Sequence, residues 1–446
     1  MATQRAIVVF GVVAWLASAA ILWITGSPLG DNEAIYATAA RLHLAGEPTQ
    51  WNYLSKGMTA VAAPGLWLGA DERALRVVPV LLGITFVLAG ALLARRAVGG
   101  VVAAWFPAIA AATWSMARRS ADLLGDLPAA ACLLAGIAIA ISELRRDDGP
   151  RWPLIVVAPL FAAAFYVRYG SCLPIAIIGV AALGFGWRAV RQRPAPAIAT
   201  LVVFVVLLIP HALDARATTG SALGFLRDGN AVLGVDYVGV GLVGFLTQNP
   251  FAYYGVVTTP LLILGLCSIV RPRDRWAVML WLIAVADIVA IGLTTVAESR
   301  YIFLALALLL VLGADLAHRL ISSRRGRLRD ALGYVAAVAI AVSAASVVVL
   351  ESRLGRVRRL WDGILVASAA VRRDAGGAAC QVVARHSSQV VWYSGCLPFV
   401  EGALNGRLVY VVRDGVGVDQ PGLTGLPGHP RTLLDDGGVE VVRLEP

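Results

Sequence analysis

A short acidic segment, Gly30 to Tyr36, carries residue types suited to general acid–base chemistry. It reads Gly-Asp-Asn-Glu-Ala-Ile-Tyr and opens an amphipathic stretch that ends at Gly46, which predicts a helix start. A carboxylate held there, Asp31 or Glu33, could accept the proton of an attacking hydroxyl. The same residues also suit a structural role, because Asp or Asn caps helices and Glu stabilises a first turn. The two roles are compatible, since different groups of the segment can serve each.

The only lysine of the chain is Lys56, in the segment 53–58. All its other Lys/Arg positions are arginine, so this single ammonium group stands out. At a bilayer surface it could snorkel or pair with a lipid phosphate. The alternative is contact with a specific phosphate in a binding site, where Arg73 and Arg76 would contribute to the same positive rim.

The segment 118–128 combines two arginines with two aspartates and ends in Asp-Leu-Pro. Asp122 and Asp126 are four residues apart, and on a helix they would share one face. One interpretation is a local ion-pair cluster with Arg118 and Arg119. The other is an acidic pair that faces a reaction site and could hold a divalent ion. The metal signal is weak, because no histidine lies beside the two carboxylates.

Two Arg-Tyr pairs, Arg168-Tyr169 and Arg300-Tyr301, stand at the ends of apolar runs. Arginine is costly at membrane depth and tends to face a polar cavity or a phosphate. Anchoring at the bilayer surface, with tyrosine in the aromatic belt, is the simpler alternative. Asp287, inside another apolar run, is a further outlier whose simplest role is a hydrogen bond to a neighbouring helix.

The elements that must position these residues are membrane helices. The chain of 446 residues is 59% apolar and 15% charged, with a mean hydropathy of +0.76. Soluble domains are about one quarter charged, so the composition excludes an ordinary soluble enzyme and also a disordered protein. Reading for apolar runs long enough to span a bilayer gives eleven, near 7–25, 75–94, 99–116, 127–143, 153–168, 171–187, 197–213, 253–270, 276–296, 300–318 and 331–350.

The arginines predict the orientation of these spans. With a cytoplasmic N-terminus, seventeen arginines fall in short inner loops, as the positive-inside rule requires. Two long loops, at about 26–73 and 214–252, then lie outside, and so does the tail 351–446. Long segments between spans are usually functional. We therefore expect a membrane domain over 1–350 and an extracytoplasmic domain over 351–446.

The tail has the pattern of a small soluble α/β domain. An amphipathic helical stretch runs from Arg356 to Arg373, and short β-like runs follow at 381–384, 408–412 and 439–444. Cys380 and Cys396 both lie in this segment, and in an oxidising compartment a disulfide between them is expected. Two buried free thiols are the alternative.

In their order along the chain, four motifs resemble those of GT-C membrane glycosyltransferases, in the bacterial branch related to protein O-mannosyltransferases and aminoarabinose transferases. The resemblance covers about residues 1–320, and Asn32, Gly57 and Met58 depart from the family pattern. The motifs are the acidic segment 31–36, the Tyr-x-Ser-Lys segment 53–56 ahead of Leu75-Arg76, the Arg/Asp segment 118–128, and Arg300-Tyr301.

The resemblance implies a polyprenyl-phosphate-linked sugar as donor and a lipid, glycan or protein hydroxyl as acceptor, on the outer face of the cytoplasmic membrane. Asp31, or else Glu33, would act as the base of an inverting single displacement. No cofactor is required, a divalent metal at Asp122 and Asp126 is weakly supported, and no nucleic acid is expected. The residues expected to bind the donor phosphate are Lys56, Arg76, Arg168, Arg300 and Tyr301.

Two other function classes compete with this interpretation. A polytopic transporter or lipid flippase of cell-envelope precursors would explain many spans and a buried Asp287. The long outer loops and the lack of a visible internal repeat count against it. A catalytically inactive scaffold that binds envelope lipids would keep the fold but tolerate changes at Asp31.

Overall fold

The chain divides into two compact units. One joins Met1–Ile24, Gln50–Val61 and Arg76–Glu351, and the other joins Thr25–Thr49, Ala62–Leu75 and Ser352–Pro446. Parts of the first long loop thus fold with the C-terminal tail. The structure is a computed structural model that describes residues 2–25, 28–47, 54–69, 71–146, 151–227, 237–324, 327–353, 358–384, 387–399, 408–413, 429–436 and 439–445.

Apolar helices dominate the first unit, because a bilayer forces each spanning segment to satisfy its backbone hydrogen bonds internally. Among the described residues, eight are long and apolar enough to span a membrane: Gln4–Ile21, Glu72–Ala97, Asp126–Leu144, Tyr169–Gln192, Pro194–Thr219, Arg275–Thr294, Ser299–Ser322 and Asp330–Val347. Three shorter apolar helices cover Gly100–Ala112, Trp152–Val167 and Thr258–Val270. Each of these helices falls on one of the predicted runs, so the polytopic α-helical membrane fold is confirmed.

The helix bounds show how the spans connect. Short 3₁₀ turns at Trp152–Val156, Tyr169–Ser171, Ser268–Val270 and Ser299–Ile302 precede or end several of them. In chain order the helices are α1 Ala2–Thr25, α2 Asp31–Leu44, α3 Lys56–Trp67, α4 Glu72–Ala97, α5 Gly100–Ala112, α6 Trp114–Ala117, α7 Asp126–Leu144, α8 Val157–Val167, α9 Cys172–Gln192, α10 Pro194–Thr219, α11 Val240–Thr247, α12 Pro250–Tyr254, α13 Thr258–Cys267, α14 Arg275–Thr294, α15 Phe303–Ser322, α16 Arg327–Arg353, α17 Arg358–Ala375 and α18 Ser387–Ser394.

Small residues set the closest helix packing of this unit. A Cβ on Gly265 of α13 would lie 2.2 Å from the Leu309 carbonyl oxygen of α15, and one on Gly313 would lie 1.9 Å from the Leu261 carbonyl oxygen. Glycines on both helices therefore allow backbone-to-backbone contact, which is how membrane helices pack without a hydrophobic drive between them.

The second unit is built on a five-stranded mixed sheet. The strands are β1 Cys380–Ala384, β2 Leu397–Pro398, β3 Leu408–Arg413, β4 His429–Asp436 and β5 Val439–Glu445. Their order is β2-β1-β3-β5-β4, with parallel pairs around β1 and antiparallel pairs around β5. Apolar residues of α17, α18 and the sheet form its core, among them Ile364, Val371, Val391 and Tyr410. A disulfide joins Cys380 to Cys396.

Some element boundaries differ from the sequence-based expectation. Helix α10 continues to Thr219, past the predicted end of its span, because the strong helix formers Ala215, Arg216 and Ala217 follow residue 213 and the left-handed Gly220 ends the helix only later. Neither α18 nor β4 was predicted. Strand β4 lies at the sheet edge. Edge strands tolerate proline and charged residues, and β4 contains Pro430 and several charged residues, so its sequence lacks the apolar–polar alternation by which a strand is predicted.

Candidate active site

Arg168 lies at the centre of an ion-pair cluster in the membrane unit. Helix α8 ends just before it, and the backbone there becomes extended. Its Nη1 lies 2.7 Å from Oδ1 of Asp126 and donates to the carbonyl oxygen of Arg300 at 3.4 Å. Its guanidinium carbon lies 4.8 Å from the ring centroid of Tyr301. The structure thus brings together three of the residues that the sequence predicted to bind phosphate.

Arg300 contributes a buried positive charge to this cluster. Its side chain is 10% exposed and forms an ion pair with Glu298, which is 42% exposed. The guanidinium carbon lies 5.2 Å from the ring centroid of Tyr301, and the charge of Asp126 acts on it as well. A buried arginine among aromatic and acidic partners keeps its charge at a fixed place, which is what anion recognition needs.

Asp122 and Asp126 lie on different elements, so the predicted shared helix face is wrong. Asp122 lies in the turn 118–125, where Arg119 Nη1 is 2.7 Å from its Oδ2. Asp126 is the first residue of α7. The helix begins only there because Pro128 fits the first turn, where its missing N–H costs nothing. No group of three or more His, Cys, Asp or Glu side chains that could hold a metal occurs among the described residues.

Lys56 is the most exposed cation of the predicted set. Its ammonium pairs with the carboxylate of Asp214 on α10, with side chains 53% and 40% exposed. The Lys56 N–H donates to Oη of Tyr169 at 3.3 Å, and the Tyr169 N–H donates to Oγ of Ser55 at 3.1 Å. Because Tyr169 follows Arg168 in the chain, these bonds fix the lysine segment beside the ion-pair cluster.

Two glycines allow this assembly to close around the end of α8. A Cβ on Gly57 would lie 2.6 Å from the carbonyl of Tyr166, and one on Gly125 would lie 2.0 Å from the carbonyl oxygen of Val167. Any side chain at either position would push Lys56 or Asp126 away from the cluster. Gly57, a departure from the family pattern, therefore has a packing reason.

Gly125→Ala is expected to destabilise the protein by about 1–3 kcal/mol, because the added methyl group overlaps backbone that cannot move freely. The measurement is thermal unfolding of the purified protein in detergent. Gly179→Ala is the matched control, since a Cβ at Gly179 meets nothing within 4 Å. Equal melting temperatures for the two variants would contradict the prediction.

An apolar cavity of about 740 Å³ lies between α7, α8, α9 and α10. Its lining includes Phe165 and Cys172, which flank Arg168 in the chain, and His211, which lies one turn before Asp214 on α10. Both ring nitrogens of His211 are buried without a hydrogen-bond partner among the described residues. The ring also lies near the charges of Asp214 and Lys56. At His211 the cavity therefore comes near Lys56 and Asp214.

Asp31 and Glu33 belong to the second unit, where they do different things. Glu33 is 5% exposed, and its Oε2 accepts a hydrogen bond from the N–H of Gly30 at 2.8 Å. Asp31 opens α2 with an exposed side chain, and its Oδ1 accepts a hydrogen bond from Oγ of Ser388. Glu33 thus stabilises the helix start, whereas Asp31 faces outward.

Arg76 and Asp287, which the sequence singled out, are also buried in the first unit. Arg76 on α4 is 3% exposed. Asp287 on α14 is fully buried and lines a small cavity of about 20 Å³ together with Asp126, Arg168 and Tyr301. The structure therefore places Asp287 beside the ion-pair cluster, where the charge of Arg168 acts on it.

Sequence reasoning missed three polar residues of these sites. His211 and Asp214 lie three residues apart at the end of an apolar helix, so a longer α10 would have placed both on one face. Ser388 had no signal, because the helix that carries it is short and follows no periodic pattern.

Comparisons with known proteins bear on the fold. No protein-family model matches the sequence, and no curated protein matches it either. ArnT from Cupriavidus metallidurans bound to undecaprenyl phosphate is structurally similar, with a TM-score of 0.70, 14% identity and coverage of 97% of both chains. The apo state of the same protein gives a TM-score of 0.65 at 16% identity, again with 97% coverage of both chains.

A second similar structure is the archaeal oligosaccharyltransferase AglB from Archaeoglobus fulgidus, in complex with an inhibitory peptide and a dolichol-phosphate. Its TM-score is 0.58 at 12% identity, and the match covers 89% of this chain and 64% of AglB. At these identities the likeness is one of fold, and it confirms the fold expected from the four sequence motifs. The chain therefore shares the fold of ArnT and of the archaeal oligosaccharyltransferase.

Proposed function

We propose that the protein is a membrane glycosyltransferase that moves a sugar from a polyprenyl-phosphate-linked donor to a hydroxyl acceptor. The observation that carries the proposal is the apolar cavity of about 740 Å³, whose lining residue His211 lies near the charge of Lys56. An apolar cavity of this size suits a hydrocarbon chain, whereas Lys56 and Arg168 suit a phosphate. A lipid with a phosphate head combines the two.

The structural neighbours support this donor class. The ArnT structure holds undecaprenyl phosphate, and the AglB structure holds a dolichol-phosphate. Another structure of the Archaeoglobus fulgidus oligosaccharyltransferase carries a tethered acceptor peptide. For this chain a lipid, a glycan or a protein fits the proposal equally well as acceptor.

Asp31 is the proposed base, because its carboxylate is exposed at a helix start while that of Glu33 stabilises the same helix. It accepts the proton of the acceptor hydroxyl as that oxygen attacks the anomeric carbon. The bond from the anomeric carbon to the phosphate oxygen breaks, and its electron pair leaves with the lipid phosphate. A single displacement of this kind inverts the anomeric configuration.

The cations stabilise the departing phosphate. Arg168 and Arg300 already pair with Asp126 and Glu298. They therefore provide positive charges at fixed positions, partly neutralised by these carboxylates. Lys56 has the more exposed side chain and is the group that can most readily exchange its carboxylate partner for a phosphate. A phosphate leaving group is already a weak base, so its departure depends more on nearby positive charge than on a proton donor.

Asp214→Asn is expected to lower the KM for donor by about twofold to fivefold, because the phosphate no longer competes with a carboxylate for Lys56. The effect is small since both side chains are half exposed, and such pairs contribute about 0–1 kcal/mol. Donor titration at saturating acceptor measures it. Asp435→Asn, at an exposed position of β4, is the control, and a raised KM in Asp214→Asn would refute the competition.

We also propose a cytoplasmic N-terminus and an extracytoplasmic tail. The positive-inside distribution of arginines supports it, and so does the Cys380–Cys396 disulfide, since disulfides persist in oxidising compartments. A C-terminal alkaline phosphatase fusion is expected to be active and a green fluorescent protein fusion dark. The reverse pattern would overturn the orientation.

The test of the function is a transfer assay with the purified protein in lipid nanodiscs. Polyprenyl-monophosphate sugars are supplied one by one with a membrane extract as acceptor source, and release of free polyprenyl phosphate is followed by mass spectrometry. We expect release with one donor, and release about a hundredfold to ten-thousandfold slower with an Asp31→Asn protein. Donor movement across a vesicle bilayer without release would instead indicate a flippase.

A further inference from the structure

Helix α2, which carries Asp31, is held by α18 within the second unit. The N–H of Leu29 donates to Oη of Tyr393 at 2.8 Å, and its carbonyl oxygen accepts from Nε2 of Gln389 at 3.1 Å. Further along α2, Arg41 donates to the carbonyl oxygens of Val391 and Trp392 at 3.3 and 3.4 Å. These contacts fix both the position and the rotation of α2.

Ser388 adds a direct contact to the carboxylate itself. Its Oγ donates to Oδ1 of Asp31, and Ser388 is 3% exposed while Asp31 is exposed. A buried serine in the first turn of a helix has little freedom to move. Among the described residues, Oδ2 of Asp31 makes no hydrogen bond, so only one of the two carboxylate oxygens is held.

The hydroxyl is itself held by the core of the C-terminal tail. Val390 and Val391 of α18 are almost fully buried in that core. At the end of α18, the N–H of Cys396 donates to Oγ of Ser394 at 3.2 Å, and Cys396 is joined to Cys380 of β1 by the disulfide. The place of Ser388 therefore depends on the folded tail.

We propose that Ser388 is a positioning residue for Asp31, through which the C-terminal tail completes the catalytic base. The proposal rests on the proposed role of Asp31. The serine hydroxyl selects one rotamer of the carboxylate and leaves Oδ2 to receive the acceptor proton. A reacting oxygen must be held within a fraction of an ångström for efficient proton transfer, and one hydrogen bond from a rigid helix supplies that.

The charged and titratable neighbours of Asp31 in the second unit do not replace this contact. Glu33 accepts a hydrogen bond from the N–H of Gly30, and Tyr393 accepts one from the N–H of Leu29. Arg41 lies ten residues along α2, and its pKa is lowered by burial and by Arg372. Arg385 and His386, ahead of α18, lie outside the described residues.

The test compares Ser388→Ala with Ser388→Thr in the full-length protein in nanodiscs. We expect Ser388→Ala to lower kcat about tenfold to a hundredfold, the size of one hydrogen bond to a charged group, with the KM for donor within about twofold. Ser388→Thr keeps the hydroxyl and is expected to restore most of kcat. Ser368→Ala is the matched control. Ser368 is a buried serine of the same unit, and within the described part of the chain its hydroxyl bonds its own helix, at the carbonyl oxygen of Ile364.

The outcomes separate the two proposals. An unchanged kcat in Ser388→Ala, while Asp31→Asn is inactive, would overturn the positioning role and leave the proposed function intact. Wild-type activity in Asp31→Asn would overturn the proposed function whatever Ser388 does. Equal losses in Ser388→Ala, Ser388→Thr and Ser368→Ala would show general damage to the tail and also refute a specific hydroxyl contact.

Discussion

An Asp31→Asn protein is expected to transfer sugar about a hundredfold to ten-thousandfold more slowly than the wild type at saturating donor, the range of general base catalysis. The amide keeps an oxygen that can accept the hydrogen bond of Ser388, so the start of α2 keeps its geometry. What the variant loses is the ability to take a proton. Initial rates with the donor identified in the transfer assay measure the effect.

Glu33→Gln is the matched control for this prediction. Its amide oxygen can still accept from the N–H of Gly30, so we expect a loss of less than about tenfold, the size of one altered hydrogen bond. If Glu33→Gln were the inactive variant and Asp31→Asn the active one, the base would be Glu33. Wild-type rates in both variants would remove the acidic segment from the mechanism.

Lys56→Met is expected to lower kcat/KM about a hundredfold to a thousandfold, the typical loss when one stabiliser of transition-state charge is removed. Methionine keeps much of the apolar stem, so the change removes mainly the charge. The neighbouring arginines cannot substitute, because Arg168 and Arg300 are engaged with Asp126 and Glu298. We expect both a lower kcat and a higher KM for donor, since the ammonium contacts the phosphate before and during its departure.

Lys56→Arg provides the corresponding control. It retains the charge but replaces a compact ammonium with a planar fork, so we expect kcat/KM to fall by no more than about tenfold, the effect of one modest contact. A Lys56→Met protein with kcat/KM within twofold of the wild type would refute the phosphate role. Similar large losses in both variants would show that the charge alone is not sufficient and that the compact ammonium group is required.

The membrane fold could be predicted because each spanning helix has its own sequence signal, a long apolar run. A bilayer requires long apolar runs, and each of the eleven runs corresponds to a spanning or shorter apolar helix among the described residues. The second unit was only partly predictable. Strand β3 is a run of three buried valines and a buried tyrosine, which is typical of a core strand. By contrast, β4 is a polar edge strand and α18 is one short helix.

The site could be predicted in part, and the reason is physical. Arginine and aspartate inside or beside apolar runs are costly, so Arg168, Asp126, Asp287 and Arg300 were identified from the sequence, and the structure brings them together. The carboxylate partner of each cation is determined by the packing of segments that are far apart in the sequence. The bond of Ser388 to Asp31 joins residues 357 positions apart, and no local pattern encodes such a contact.

The most direct measurement is the binding of undecaprenyl phosphate to the purified protein in nanodiscs, by native mass spectrometry, because it requires no knowledge of the sugar or the acceptor. We expect saturable binding to the wild type and equally to Asp31→Asn, and binding at least about tenfold weaker to Lys56→Met, as expected for loss of a contact worth about 1.4 kcal/mol. Undecaprenol, which lacks the phosphate, is expected to show no difference among the three proteins. Absence of saturable binding, or equal affinity of Lys56→Met and the wild type, would contradict a lipid-phosphate donor bound at this site.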